Sequence, residues 1–125
     1  MRKELQDKLY NDFPELFYKL IADKDYISCP DGWFDMIYDL SNQINNLKPK
    51  ELTYEVTQVK IKFGGLRYYM TRTTPEMNEL ITQFENKSYD ICGSCGKEKD
   101  LTKPNQHMFN TNMCSICLMI KNIIE

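Results

Sequence analysis

The chain has 125 residues, of which 42% are hydrophobic and 27% charged, with a formal net charge of −2. That length suits one domain, or a small domain with an appendage, and can bury a hydrophobic core without staples. The balance excludes a whole-protein basic footprint for nucleic acid, and no apolar run is long enough to span a bilayer.

The first 22 residues read as helix in two pieces. Leu5 and Leu9, then Phe17, Leu20 and Ile21, recur at helical steps. Pro14 interrupts them, and Asp12 with Glu15 is placed to restart the helix as a capping-box variant. The opening "MRKELQDKLYNDF" is charged and periodic, without the apolar stretch and cleavage site of a signal peptide. A reducing cytoplasm is therefore expected, where stable disulfides are rare, and an odd count of five cysteines agrees with that. Residues 23–30 read as a loop. Cys29, beside Pro30, has no partner in sequence and is expected to be a partly buried free thiol.

The central helix has the clearest pattern. Trp33, Met36, Ile37, Leu40, Ile44 and Leu47 keep the 3.6-residue period, with Asp31 or Ser28 as cap and a stop before Pro49. Trp33 is expected in the core. Asp31, Asp35 and Asp39 recur every four residues and share one face. They form either a solvated acidic face or a docking stripe for a basic protein surface.

The period then changes to two. "EVTQVKIKFGGLRYYM" predicts a β-hairpin with Gly64-Gly65 as its turn, pairing Phe63 with Leu66, Ile61 with Tyr68 and Val59 with Met70. The opposite face carries Lys60, Lys62, Arg67 and Tyr69. Residues 58–72 hold four cations, Lys60, Lys62, Arg67 and Arg72, and no acid. This face is either the solvated side of an antiparallel sheet or a surface for phosphates with tyrosine stacking on a base. A third amphipathic helix follows, capped by Thr74 with Pro75 in its first position and Met77, Leu80, Ile81 and Phe84 as its stripe.

Cys92, Cys95, Cys114 and Cys117 form C-x2-C-x18-C-x2-C, the spacing of a structural zinc site. Gly96 permits the knuckle turn, and "LMIKNIIE" after the second pair offers a short helix. A treble-clef-like module is expected, with a zinc ribbon as the alternative. A thioredoxin-type redox pair would need a βαβ setting and leaves the second pair unexplained. Four thiolates close the site, so one structural zinc ion is expected rather than a catalytic one. His107, the sole histidine, is expected as an exposed hairpin residue.

These readings combine into an α+β protein: N-terminal helices, a central amphipathic helix, an antiparallel β-hairpin, a helix and the four-cysteine module. Residues 1–88 form the core domain, with the zinc-binding module at 89–125 packed on it. No catalytic residue is assigned and an enzyme is not expected.

"DGWFDMIYDLSNQI", "VTQVKIKFGGLRYYM" and the cysteine tail together resemble a family of small phage and prophage proteins with a "QVK-x-KFGGLR" hairpin and a four-cysteine knuckle. Gly32, Trp33, Gln58, Val59, Lys60, Lys62, Phe63, Gly64, Gly65, Leu66 and Arg67 carry the likeness, which covers roughly residues 30–120. The resemblance implies a phage source and the bacterial cytoplasm as workplace; it implies no activity. Two functions follow as expectations. One is a non-enzymatic module that binds and modulates a host protein, such as a defence or transcription factor. The other is a nucleic-acid-binding accessory protein using the basic hairpin face and the zinc module.

Overall fold

Helices α1 (Lys3–Asp12) and α2 (Tyr18–Ala22) open the chain in the computed structural model, which describes residues 1–99, 113, 114, 116, 117, 119 and 120. The break between them falls at Pro14, as predicted. The cap does not: α2 begins after Phe17 without a side-chain cap, and the Asp12 carboxylate instead accepts from Lys8 and the Tyr38 hydroxyl. A phenol on another helix supplies a stronger tertiary partner than the local turn does.

A 3-10 turn (Asp31–Trp33) leads into α3 (Phe34–Leu47). Trp33, Ile37, Leu40 and Ile44 are fully buried and Met36 nearly so, whereas Leu47 at the end is exposed. Each such aliphatic side chain contributes roughly 1.5–3 kcal/mol. Neither Ser28 nor Asp31 caps this helix. Asp31 accepts the backbone N–H of Arg2 and pairs with its guanidinium, and Ser28 joins the sheet.

Strands β1 (Val56–Lys62) and β2 (Gly65–Met70) form an antiparallel hairpin whose register differs from the predicted one by two residues. Ile61 lies opposite Leu66, Val59 opposite Tyr68 and Lys60 opposite Arg67, with Lys62–Gly65 closing the ladder. The turn is therefore Phe63-Gly64, both at positive φ (54° and 79°), as a type I′ turn requires. A two-residue shift preserves the inward and outward sets, so hydrophobic patterning alone does not choose between the registers. The tertiary structure does: Ser88 and Glu85 hold β2 through Leu66 N and Tyr68 N, and Ser28 holds β1 through Val59 O and Ile61 N, so each strand is placed independently; the Tyr89 ring also rests on Gly65, where a Cβ would come within 2.4 Å of it. Near the base a bulge between Val56 and Gln58 lets both Val56 and Val59 face inward.

Both hairpin edges are covered. Ser28 donates to Val59 O and accepts from Ile61 N along β1. Along β2, Leu66 N donates to Ser88 Oγ and Tyr68 N to the Glu85 carboxylate. Ser88 and Glu85 belong to α4 (Pro75–Ser88), whose Thr74 cap accepts from Met77 N as predicted. The hairpin's inner face packs on α4 and, at β1, on α2, and α3 packs on α4. Within this core the Ser41 and Tyr68 hydroxyls, both buried, satisfy one another at 3.0 Å.

Candidate metal centre

Residues 90–99 fold back on themselves directly after α4. Cys92 N donates to Lys97 O, Lys99 N to Asp90 O, and Gly96, at φ 80°, closes the turn by donating to Cys92 O. This knuckle carries Cys92 and Cys95, and Cys114 and Cys117 approach from the second half of the tail. The ligand atoms of all four lie within 4.8 Å of one another. Cys95 Sγ and Cys114 Sγ are 3.8 Å apart, and all four cysteines are free thiols. A metal–sulfur bond of ~2.3 Å sets tetrahedral sulfurs about 3.8 Å apart, so the arrangement has the dimensions of a tetrathiolate metal site. Residues 116, 117, 119 and 120 are helical. His107 and the predicted hairpin around it lie outside the described residues.

The electrostatics also fit a cation. Burial works against ionising Cys92, but hydrogen bonds to its sulfur from Cys95, Cys114 and Ser94 outweigh this and lower its pKa to about 6. The Ser94 and Cys95 N–H groups point at that sulfur at 3.3 and 3.4 Å, the contacts that orient a metal-bound thiolate. Desolvation and the neighbouring thiols push Cys117 the other way, to about 12. Four thiolates this close repel one another unless a cation compensates them.

The first knuckle is built into the core. Ile91 and Cys92 are buried, and the carbonyl of Ile91 accepts from the buried Trp33 Nε1–H at 3.0 Å. Gly32 N donates to Gly93 O at 2.7 Å, and a Cβ on Gly32 would stand 2.5 Å from Cys92 O. The Gly-Trp pair that opens the central helix is thus the platform on which the knuckle sits. Sequence reading placed Trp33 in the core but did not foresee this second role.

Of the remaining predicted site residues, Asp31 and Asp35 border a cleft shared with Ser94, Cys95, Gly96 and Lys97 of the knuckle, and the others lie elsewhere. Of the acidic residues, Asp31 is committed to Arg2 and Asp39 accepts from Gln43, while Asp35 and Asp39 are exposed. Lys60, Lys62, Arg67 and Tyr69 share the outer side of the hairpin, as predicted. Cys29 is buried away from the cluster, and burial pushes its thiol up to about 12. Among the described residues no helix is long and apolar enough to cross a membrane. Compared with family models, curated proteins and solved structures, the chain matches none.

Proposed function

We propose that this is a non-enzymatic, zinc-containing protein of the phage type that binds and modulates a host protein in the bacterial cytoplasm, a defence or transcription factor being the kind of target. One structural zinc ion is held by Cys92, Cys95, Cys114 and Cys117, and the helical residues after Cys114 favour a treble-clef-like tail over a ribbon. The non-enzymatic reading rests on the donor set: four protein thiolates leave the metal no position for a reacting water.

The observation that carries the protein partner is a broad, open groove of about 930 Å³ at the base of the hairpin, lined by Pro14, Tyr18, Asn45, Pro49, Leu52 and Tyr54 among others. Tyr18 and Leu52 are more than half exposed there. Exposed Tyr18 and Leu52 beside two prolines, ringed by polar and charged side chains such as Glu15, Lys48 and Lys50, fit a segment of another polypeptide. The test is affinity purification from a bacterial lysate after nuclease treatment, with wild type beside a Tyr18→Ser/Leu52→Ser variant. A stoichiometric protein held by wild type and lost by the variant supports the reading. Capture of nothing, or equal capture by both, overturns it.

A further inference from the structure

A second surface lies on the outer face of the hairpin, and no residue of the groove belongs to it. Lys60, Lys62 and Arg67 stand here with Gln58 and Tyr69. Between Val56 and Met70 the sequence holds no carboxylate. Tyr89, just past α4, reaches onto this face: its ring lies against Gly65 and its hydroxyl accepts from Arg67 at 3.3 Å. Arg67 also donates to Leu66 O, so its guanidinium is held in place. Glu85 acts on Arg67 as well, but its carboxylate is engaged by the Tyr68 N–H. Beside β1, Ile27 and Cys29 are buried while Tyr26 and Ser28 are exposed, an alternation that puts Tyr26 on the outer side.

The tip is the most informative position. Phe63 is 76% exposed and occupies the left-handed region at φ 54°. Asn, Asp or Gly suits that site, because a bulky side chain is strained there. Phe63 recovers none of that cost by burial. Strain at an exposed aromatic residue is what a ligand contact explains and a solvated sheet face does not. Four rings, Tyr26, Phe63, Tyr69 and Tyr89, are each at least 41% exposed around three cations. Lys60 Nζ lies 5.9 Å from the centre of the Tyr69 ring and Lys62 Nζ 5.5 Å from that of Phe63, so charge and stacking surface are adjacent.

We propose that this face binds single-stranded nucleic acid, with bases stacked on the exposed rings and phosphates held by Lys60, Lys62 and Arg67. A single strand fits better than a duplex, because only unpaired bases offer free faces to surface rings. The attraction for phosphates is local to this strip: Lys60, Lys62 and Arg67 lie in a stretch of sequence without carboxylates, against a whole-chain charge of −2 and with Glu85 the acid that acts on Arg67. The inference does not rest on the protein-partner reading.

The test uses the full, zinc-loaded chain and fluorescence anisotropy with labelled oligo-dT and oligo-U of ~12 nucleotides and a duplex of ~12 base pairs, at about 50 mM salt. Both single strands, or either one, should bind more tightly than the duplex, and the tighter of the two identifies DNA or RNA as the source. Three phosphate contacts give a slope near −2, so affinity should fall roughly 20-fold between about 50 and about 200 mM salt. Phe63→Asn keeps the turn but removes the ring, and should weaken binding by at least about fivefold without lowering the melting temperature. Lys60→Glu with Lys62→Glu should abolish binding. No binding by wild type at the lower salt overturns the proposal, as does a duplex affinity equal to that of the single strands. Indifference to Phe63→Asn overturns it too, even if a partner protein is captured through the groove.

Discussion

The indole Nε1–H of Trp33 donates to the carbonyl of Ile91, linking the start of the central helix to the residue before Cys92, the first of the four clustered cysteines. Trp33 is the only tryptophan, so its fluorescence reports on this contact. Zinc removal by a tight chelator should release the knuckle and shift the Trp33 emission to longer wavelength, reversed by zinc. Cys92→Ser should show the shifted spectrum from the outset. An emission maximum indifferent to chelation would separate the metal from the core.

Two glycines should respond differently to alanine. At Gly32 the new Cβ meets the backbone of Cys92 and Gly93, which cannot move without displacing the knuckle. Gly32→Ala is expected to cost about 1–3 kcal/mol and to weaken zinc retention. At Gly65 the obstacle is the end of the Tyr89 side chain, which can swing aside, and alanine suits a strand better than glycine. Gly65→Ala should stay within about 1 kcal/mol of wild type. Urea unfolding of both variants, with zinc content measured alongside, checks the contrast.

Phe63→Asn should stabilise the protein by about 1 kcal/mol, because asparagine accepts the left-handed conformation and loses little by exposure. For a chain of this size the melting temperature should rise by a few degrees. A fall would show that the Phe63 ring makes a stabilising contact within the fold.

The buried hydroxyl pair of Ser41 and Tyr68 ties α3 to β2. Tyr68→Phe leaves the serine hydroxyl without that partner and should cost about 1–2 kcal/mol. Adding Ser41→Ala removes the orphaned group, so the double variant should be less destabilised than the sum of the singles. Strict additivity in a double-mutant cycle would count against the coupling.

Acid stability should depend on Asp12. The hydrogen bond from Tyr38, then that from Lys8, lowers its pKa below the usual aspartate value. A depressed pKa in the folded state stabilises above the unfolded value, ~3.9, and the contribution disappears as pH falls through the folded one. Melting temperatures recorded between about pH 5 and pH 2 should therefore fall less steeply for Asp12→Asn than for wild type.

Local patterning was enough to place the break at Pro14, the α3 stripe and the Thr74 cap and to group the four cysteines, because each depends on neighbours within one or two turns or on paired C-x2-C spacing. It sorted the hairpin residues into inward and outward sets correctly except for Phe63, expected inward opposite Leu66 and found exposed at the turn. It could not choose between registers two residues apart, since both satisfy the same period, and so it put Phe63 in a strand rather than at the turn. That choice belongs to residues distant in sequence: Ser88 and Glu85 hold β2, and Ser28 holds β1, through hydrogen bonds to the strand backbones. The caps expected of Asp12 and Asp31 failed for a similar reason: a short side chain that can serve its own turn binds a tertiary partner instead when Tyr38 or Arg2 is brought within reach. Spacing likewise grouped the cysteines, but only the folded chain seats Cys92 on Gly32 and Trp33, because backbone-to-backbone fit between distant segments has no periodicity for a sequence to display.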